Sequence, residues 1–357
     1  MIARDLQATH RRRDPLTGRW VVVSPGRLDR PWQGAQEEPP PDAPRHDADC
    51  YLCPGTTRVT GAVNPDYDAT WWFTNDFAAL TPPDESTTAQ GRPPDPDDDL
   101  YRAEPVDGTC RVLVFHPRHD RTLARSTTPE IRAVVDLWRD QYAELAGAWA
   151  NVQVFENRGS AMGASNPHPH GQLWATSVVP RHVAVEDDHQ RRHHDRTGRV
   201  LLLDVLEREL ASGDRVVVAG THFVAIVPWW AQWPYETMVL PRRHVPRMTD
   251  LDDGERDDLA DVLRQLLVRC DNLFTTDFPY SMGWHVAPGA AGDDAHWQLH
   301  AHVAPPLLRS ASVRKFMVGF ELFGEEQRDL TPEAAAAALR DTPATHWHAA
   351  RDEAGQP

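Results

Sequence analysis

His168-Pro169-His170 and His300-Ala301-His302 are two His-x-His pairs, and Cys50-Tyr51-Leu52-Cys53 is a Cys-x-x-Cys pair. Near neutral pH an imidazole can serve as metal ligand, general base or nucleophile. Two thiols at this spacing suit zinc or redox chemistry. On a strand, residues i and i+2 share a face, so both rings of a His-x-His pair can address one ligand. The first pair follows a Gly/Ser-rich run, Asn157-Arg158-Gly159-Ser160-Ala161-Met162-Gly163-Ala164-Ser165-Asn166-Pro167. The backbone N–H groups of such a turn can face an anion. A single His-x-His pair is commonly two surface imidazoles, but these two recur 132 residues apart.

The Cys pair lacks the βαβ surroundings of a thioredoxin-like redox site. A tetrahedral zinc site needs two further nitrogen or sulfur ligands, and His119 and His168 are the candidates. Glu186, His285, His300 and His302 form a second candidate set, suited to zinc or iron. Spacing alone does not bring these four together. Cys110 and Cys270 read as small apolar core residues, and Trp229, Trp230 and Trp233 as packing.

The elements that would position these groups occur twice. In the first half, Val112-Leu113-Val114-Phe115 leads to Pro117-Arg118-His119. A helix opened by Thr128-Pro129-Glu130, with Thr128 as its cap, carries Ile131, Val134, Val135, Trp138, Tyr142 and Leu145 on one face. A strand over 152–156 and the first His-x-His pair follow. In the second half, Thr237-Met238-Val239-Leu240 leads to Pro241-Arg242-Arg243-His244. A helix capped at Thr249 or Asp250 carries Leu259, Val262, Leu263, Leu266, Leu267 and Cys270. A strand over 280–286 and the second pair complete the repeat. One α+β unit is used twice, with a linking helix expected over 186–210. Thr331-Pro332-Glu333 and the alanines behind it predict a further helix.

The chain has 357 residues, 18 of them His, and a net charge of −16. An acidic surface argues against nucleic acid as a bulk electrostatic partner. No apolar run approaches the roughly 20 residues of a spanning helix, and residues 1–14 do not read as a secretory signal. A membrane partner is therefore not expected, and the cytoplasm is the expected compartment. Residues 33–49 and 81–99, rich in Pro and acid, read as exposed mobile loops. Of the 37 basic side chains only Lys315 is lysine; the arginine excess reads as codon bias.

The longer motifs carry a resemblance. Pro15-Leu16-Thr17-Gly18-Arg19-Trp20, Phe73-Thr74-Asn75-Asp76-Phe77, Val152-Gln153-Val154-Phe155-Glu156-Asn157, Ser165-Asn166-Pro167-His168-Pro169-His170-Gly171-Gln172, Trp233-Pro234-Tyr235-Glu236-Thr237 and Trp297-Gln298-Leu299-His300-Ala301-His302 stand nearly end to end. The chain resembles the galactose-1-phosphate uridylyltransferases of the histidine-triad superfamily. That resemblance implies an α+β fold in which duplicated histidine-triad-like units, over 1–182 and 183–357, join antiparallel sheets into a half-barrel flanked by helices. It implies exchange of UDP-glucose and galactose 1-phosphate for glucose 1-phosphate and UDP-galactose, a step of galactose metabolism (the Leloir pathway). His170 would be the nucleophile, forming a covalent uridylyl-histidine in a ping-pong reaction. Gln172, where histidine-triad hydrolases have a third His, would donate to phosphoryl oxygen.

The resemblance also assigns ligands. Cys50, Cys53, His119 and His168 would hold zinc; Glu186, His285, His300 and His302 would hold iron or a second zinc. Nucleotide contacts would come from Val59, Asn75, Asp76, Asn157, Gly163, Ala164, Ser165 and Gln172. Sugar contacts would come from Lys315, Phe316, Val318, Phe320, Glu321 and Gln327. Arg27 and Arg30 would bind phosphate across a homodimer interface, so that the active site is shared. Three positions depart from the family. Ala164 stands where a bacterial relative has Cys, so contact there would run through the backbone. Phe320 replaces a Tyr and loses its hydroxyl. Gly26 precedes Arg27 where a bulkier residue is usual. Two other readings compete: an adenylyltransferase or dinucleoside-polyphosphate phosphorylase on the same fold, and a silent zinc-stapled scaffold.

Overall fold

The computed structural model describes residues 8–27, 43–83, 100–289, 292 and 294–349. Its elements, in chain order, are β1 (His10–Arg13), β2 (Trp20–Val23), β3 (Trp71–Thr74), β4 (Gly108–Val114), α1 (Thr128–Leu145), β5 (Asn151–Arg158) and β6 (His170–Thr176). Then come α2 (Arg181–Thr197), α3 (Leu201–Ser212), β7 (Val216–Ala219), β8 (Phe223–Ile226), β9 (Thr237–Pro241), α4 (Asp253–Phe274), β10 (Tyr280–His285) and β11 (His300–Ala304). The chain continues through β12 (Leu307–Ser310), β13 (Val313–Arg314), α5 (Phe320–Phe323), β14 (Glu326–Arg328) and α6 (Pro332–Asp341).

Nine strands form one open sheet in the order β3-β4-β6-β5-β10-β11-β9-β8-β7, and every pairing within it is antiparallel. The order reads as a palindrome about β5 and β10, with β7 added at one end. The duplicated unit therefore joins its copy through a shared strand pair, with Phe155 opposite Gly283 and Asn157 opposite Ser281. β2 pairs with β1 and, in parallel, with β14 in a separate three-stranded sheet.

One face of the large sheet is covered by α1 and α4. Val152, Val154, Leu173, Ala175, Trp284, Ala301 and Val303 pack there against Ile131, Val135, Trp138, Leu263 and Leu266 in one core. All the apolar positions expected on the two helices are buried. The caps differ from expectation by one or two residues. Thr127, not Thr128, caps α1, and it exchanges hydrogen bonds with Glu130 in a capping box. Asp252 caps α4 in the same way with Glu255. Thr249 and Asp250 lie in a preceding 3-10 turn, where the Asp250 carboxylate accepts from the Arg247 N–H. In both boxes the Glu three residues beyond the cap fixes the frame. The expected linking helix is two helices, α2 and α3, broken at Gly198, which closes α2 in the left-handed conformation (φ 69°). α6 is capped by Thr331 as expected.

Among the described residues, apolar cover on the opposite face lies at its ends, and α2 reaches over β10 and β11 through Glu186. Leu201, Leu202 and Leu206 of α3, with Leu16 and Trp230, cover Val224, Ile226, Met238 and Leu240 on β8 and β9. Cys50, Leu52 and Cys53 cover Phe73, Val112 and Val114 on β3 and β4. The middle strands β6, β5, β10 and β11 turn their polar residues into the gap between these two covers. Cys110 and Cys270 are buried in the interior, as expected; Trp230 packs in the core with Trp229 against it, also as expected, whereas Trp233 is half-buried and borders a cavity. Of the acidic loops, 33–42 and 84–99 lie outside the described residues. Segment 43–49 is irregular and mostly exposed, with the Arg45 carbonyl accepting from the His119 N–H.

Gly171 sits between His170 and Gln172 with its Cα facing the helix-covered side. A Cβ there would lie 2.7 Å from the Phe115 ring and 2.8 Å from the Phe155 carbonyl oxygen. The second neighbour is backbone and cannot swing aside. Gly171→Ala is expected to cost about 1–3 kcal/mol of stability, read as a lowered thermal midpoint, and to slow any reaction at His170 by displacing β6.

Candidate active site and metal centres

Cys50, Cys53, His119 and His168 are all buried, with ligand atoms within 4.8 Å of one another. The short Cys-x-x-Cys turn is tied by Thr56, whose hydroxyl donates to the Cys50 and Cys53 carbonyls at 2.7 Å each. Asn64 Nδ2 donates to the Tyr51 and Cys53 carbonyls at 3.0 Å. His168 Nε2 donates to the His116 carbonyl at 2.8 Å. That fixes the tautomer and leaves Nδ1 bare, 3.4 Å from Cys53 Sγ. Burial pushes the Cys53 thiol up to about 11 and the His168 imidazole down to about 3. Two thiols and two imidazoles in a water-poor site, the His168 ring with its Nδ1 bare and His119 Nδ1 3.6 Å from Cys53 Sγ, match a tetrahedral divalent ion. Such an ion reverses the burial effect and deprotonates the thiols.

His168 precedes β6 rather than lying in it. The first His-x-His pair therefore does not address a common ligand: the His168 ring turns to the cysteines, and the His170 ring stays on the open face. His170 Nδ1 donates to the His168 carbonyl at 2.8 Å. Nε2 is thereby the bare nitrogen, and burial holds the ring below the usual imidazole range, so it is neutral at pH 7. Buried Asn166 accepts the His168 N–H at 2.9 Å and lies 3.5 Å from Cys50 Sγ. Two positions beyond His170 on the same face, Gln172 Oε1 accepts from Trp174 Nε1 at 3.0 Å.

The second pair lies within β11, and both of its rings do turn to one place. Glu186, His285, His300 and His302 have ligand atoms within 4.8 Å of one another. Glu186 Oε2 is 2.7 Å from His285 Nδ1 and 3.2 Å from His300 Nε2. His300 Nδ1 donates to the Gln298 carbonyl at 2.8 Å, leaving Nε2 bare. The buried Nε2 atoms of His300 and His302 have no hydrogen-bond partner. Burial pushes Glu186 up, but the His285 ring at hydrogen-bond distance and the neighbouring His300 ring outweigh it and hold the carboxylate well below its usual range. Three imidazoles, a carboxylate and two orphaned nitrogens fit a metal ion.

Beside this cluster, between β5, β6 and α2, lies a cavity of about 430 Å³ bordered by Gln153, Phe155, Trp174, Glu186, His285 and His302. Asp14 and Glu236 also border it, and burial pushes Asp14 up to about 7. The sequence reading had no role for Asp14, Asn166 or Trp174. Asp14 adjoins the Pro15–Trp20 motif, Asn166 lies within Ser165–Gln172 and Trp174 stands two residues beyond it, but side-chain hydrogen bonding leaves no periodic signal.

The remaining expected residues fall into two groups. Near the metal-bearing loops, Arg58 pairs with Asp76 at 3.1 Å, which ties the turn carrying exposed Val59 to the segment of Asn75. Asn157 accepts from the Ser281 hydroxyl at 2.8 Å. Gly163 closes a 3-10 turn in the left-handed conformation, Ala164 N donates to the Gly159 carbonyl, and the Ser165 hydroxyl lies 3.5 Å from that of Tyr51. The second group surrounds β2 and β14. Lys315 Nζ contacts Glu321 and reaches Gln327 Oε1 at 3.5 Å. Gln327 Nε2 and Arg27 Nε both donate to Asp329 Oδ1, at 2.8 and 2.9 Å. Phe316, Val318 and Phe320 are exposed. Arg30 lies outside the described residues.

Comparison with known proteins agrees with this geometry. The family model for galactose-1-phosphate uridyl transferase, N-terminal domain, matches residues 2–180, and that for the C-terminal domain matches residues 186–351. Galactose-1-phosphate uridylyltransferase of Haemophilus influenzae is 50% identical over 339 residues, 95% of each chain. The Rattus norvegicus protein of that name is 49% identical over 95% of this chain and 89% of its own. Among solved structures, a uridylyltransferase superposes with TM-score 0.72 at 27% identity, covering 93% of this chain and 97% of that one. An Arabidopsis thaliana ADP-glucose phosphorylase shares the fold at TM-score 0.71 and 23% identity, covering 94% of this chain and 100% of its own. With both halves matched and relatives near half identical across almost the full length, this chain belongs to the galactose-1-phosphate uridyl transferase family.

Proposed function

We propose that this chain transfers the uridylyl group from UDP-glucose to galactose 1-phosphate, giving glucose 1-phosphate and UDP-galactose. The observation that carries the mechanism is the 2.8 Å hydrogen bond from His170 Nδ1 to the His168 carbonyl. It commits Nε2 as the bare nitrogen, while burial of the ring disfavours its protonation. The Nε2 lone pair attacks the α-phosphorus, an N–P bond forms, and the P–O bond to glucose 1-phosphate breaks. Imidazolium character developing on His170 is stabilised through Nδ1–H by the carbonyl. A phosphate oxygen of galactose 1-phosphate then displaces His170 from phosphorus, restoring the neutral ring. Gln172 donates an amide N–H to a phosphoryl oxygen. An amide is a poor acid, but a sugar phosphate needs no proton to leave.

Within this reading Cys50, Cys53, His119 and His168 hold zinc. Its chemistry is structural: it fixes His168 and, through it, the carbonyl behind His170. Glu186, His285, His300 and His302 hold iron or a second zinc between β10, β11 and α2. The nucleotide lies along Val59, Asn75, Asp76, Asn157, Gly163, Ala164 and Ser165. The hexose phosphate is met by Lys315, Glu321 and Gln327 with Phe316, Val318 and Phe320, and by Arg27 and Arg30. The two units divide at 182/183, within the gap between the matched family models. The exposed apolar side chains of 316–323 and the separation of this cluster from β6 support a homodimer that completes each active site with residues of the other subunit. Four cysteines without a disulfide suit the cytoplasm.

Incubation with UDP-glucose is expected to add one uridylyl group to the intact chain by mass, and His170→Gly to abolish the adduct. An adduct formed only from ADP-glucose would overturn the choice of nucleotide. Elemental analysis is expected to give about two metal ions per chain, one at each cluster. Cys53→Ala should lose the zinc, lower the thermal midpoint and slow adduct formation together. His170→Gly and Lys315→Ala are each expected to be nearly inactive. Mixing them after subunit exchange should restore about a quarter of wild-type turnover, as random pairing in a two-fold dimer dictates. No recovery from exchanged subunits would remove the shared site.

A further inference from the structure

We infer that Trp174 is a positioning residue for Gln172, holding its carboxamide in the one orientation that can donate to the reacting phosphate. This rests on the reading above, in which Gln172 donates to a phosphoryl oxygen. His170, Gln172 and Trp174 stand at i, i+2 and i+4 of β6, on the face away from buried Gly171, Leu173 and Ala175. Trp174 Nε1 lies 3.0 Å from Gln172 Oε1. An indole N–H only donates, so the oxygen of the amide must face it; turned over, the amide would set N–H against N–H. The planar carboxamide then carries its NH2, with both donors, on the side away from the indole.

The indole is itself held. It meets the Phe155 ring edge-to-face at 5.8 Å. Phe155 stands opposite Gln172 across the β5–β6 pair, and Gln153 opposite Trp174. Gln153 is anchored in turn by donating to the Trp284 carbonyl at 2.6 Å. Trp174 thus stands beside a ring it packs against, Phe155, and opposite Gln153, whose amide has a fixed partner on β10.

A freely turning carboxamide would present its oxygen to the phosphoryl oxygens for part of the time, and two acceptors repel. Loss of one neutral hydrogen bond corresponds to about a five- to tenfold change in the population of the competent orientation. Indole is the aromatic ring suited to this task at position 174. Phe has no donor, and a Tyr hydroxyl both donates and accepts, so it would leave the amide ambiguous.

The test is the single-turnover rate of uridylyl-His170 formation from UDP-glucose, followed by intact mass, in a double-mutant cycle. Trp174→Phe is expected to slow the step about five- to tenfold with the KM for UDP-glucose within twofold of wild type and both metals retained. In a Gln172→Ala background, the same change is expected to have no further effect. An equal loss from Trp174→Phe in both backgrounds, or no loss in either, overturns the positioning role and leaves that of Gln172 standing. A Gln172→Ala enzyme as fast as wild type overturns the reading of Gln172 and this inference with it. If Trp174→Phe does not fold, Trp174→Leu takes its place in the cycle.

Discussion

The pairing of β5 with β10 is the contact on which the geometry of both centres depends. The first half supplies four strands and the second five, each half with a helix covering one face and a cover over the outer end of the other. Neither half alone would make a cleft. Joined edge to edge through residues 154–158 and 280–284, they leave four strands between the two apolar covers. His170 and Gln172 then stand on one side of the gap, and His285, His300 and His302 on the other. The pairing also closes what would otherwise be two exposed strand edges. The same hydrogen bonds that build the cleft protect the fold from association at that seam.

His168 links the first metal cluster to the open face. Its ring joins the two cysteines and its carbonyl meets His170. Between His168 and His170 lies one residue, Pro169. Having no N–H to donate, it lets the chain pass from the buried loop into β6 without leaving a donor unpaired. The carbonyl of Pro169 accepts from Phe115 N at 3.0 Å, which stitches the loop to the end of β4. The polar groups around His170 are thus positioned by backbone before any side chain is considered, which is the condition for a preorganised site.

Much of this was legible in the sequence because it is periodic or local. The apolar face of α1 and the repeated order of strand, His, helix, strand and His-x-His survive translation into structure with small shifts. The helix starts moved because two adjacent residues, Thr127 and Thr128, can both cap. Only the side-chain exchange with Glu130 decides between them. Asp250 lost the cap of α4 to Asp252 for the same reason. The break at Gly198 was missed because the polar run around it offers no apolar stripe whose interruption could be seen. Convergence of Glu186 with His285, His300 and His302 could come only from the family resemblance. A helix and two strands separated by about a hundred residues share no pattern that spacing can report.

Codon bias does not account for how the arginines are used. Arg328 is buried and donates to the Ala231, Pro234 and Leu330 carbonyls from three different nitrogens. Arg158 forks onto both oxygens of buried Asp271 at 2.7 and 2.8 Å, and Arg12 spans both oxygens of Glu333. A lysine ammonium could satisfy one of these partners at a time and would leave the others buried and unpaired. In these places the planar fork is a structural requirement, whatever first enriched it. Lys315 is the converse. Its ammonium sits between Glu321 and Gln327, beside an Asp329 already engaged by Arg27. A guanidinium there would direct in-plane donors past those two neighbours, whereas a compact charge with rotatable protons can hold both and still turn one outward. That difference explains why an acidic chain can meet an anionic substrate. Among the described residues most guanidiniums are engaged by carboxylates and carbonyls, so attraction for phosphate falls to cations such as Lys315 that keep a rotatable proton to turn outward.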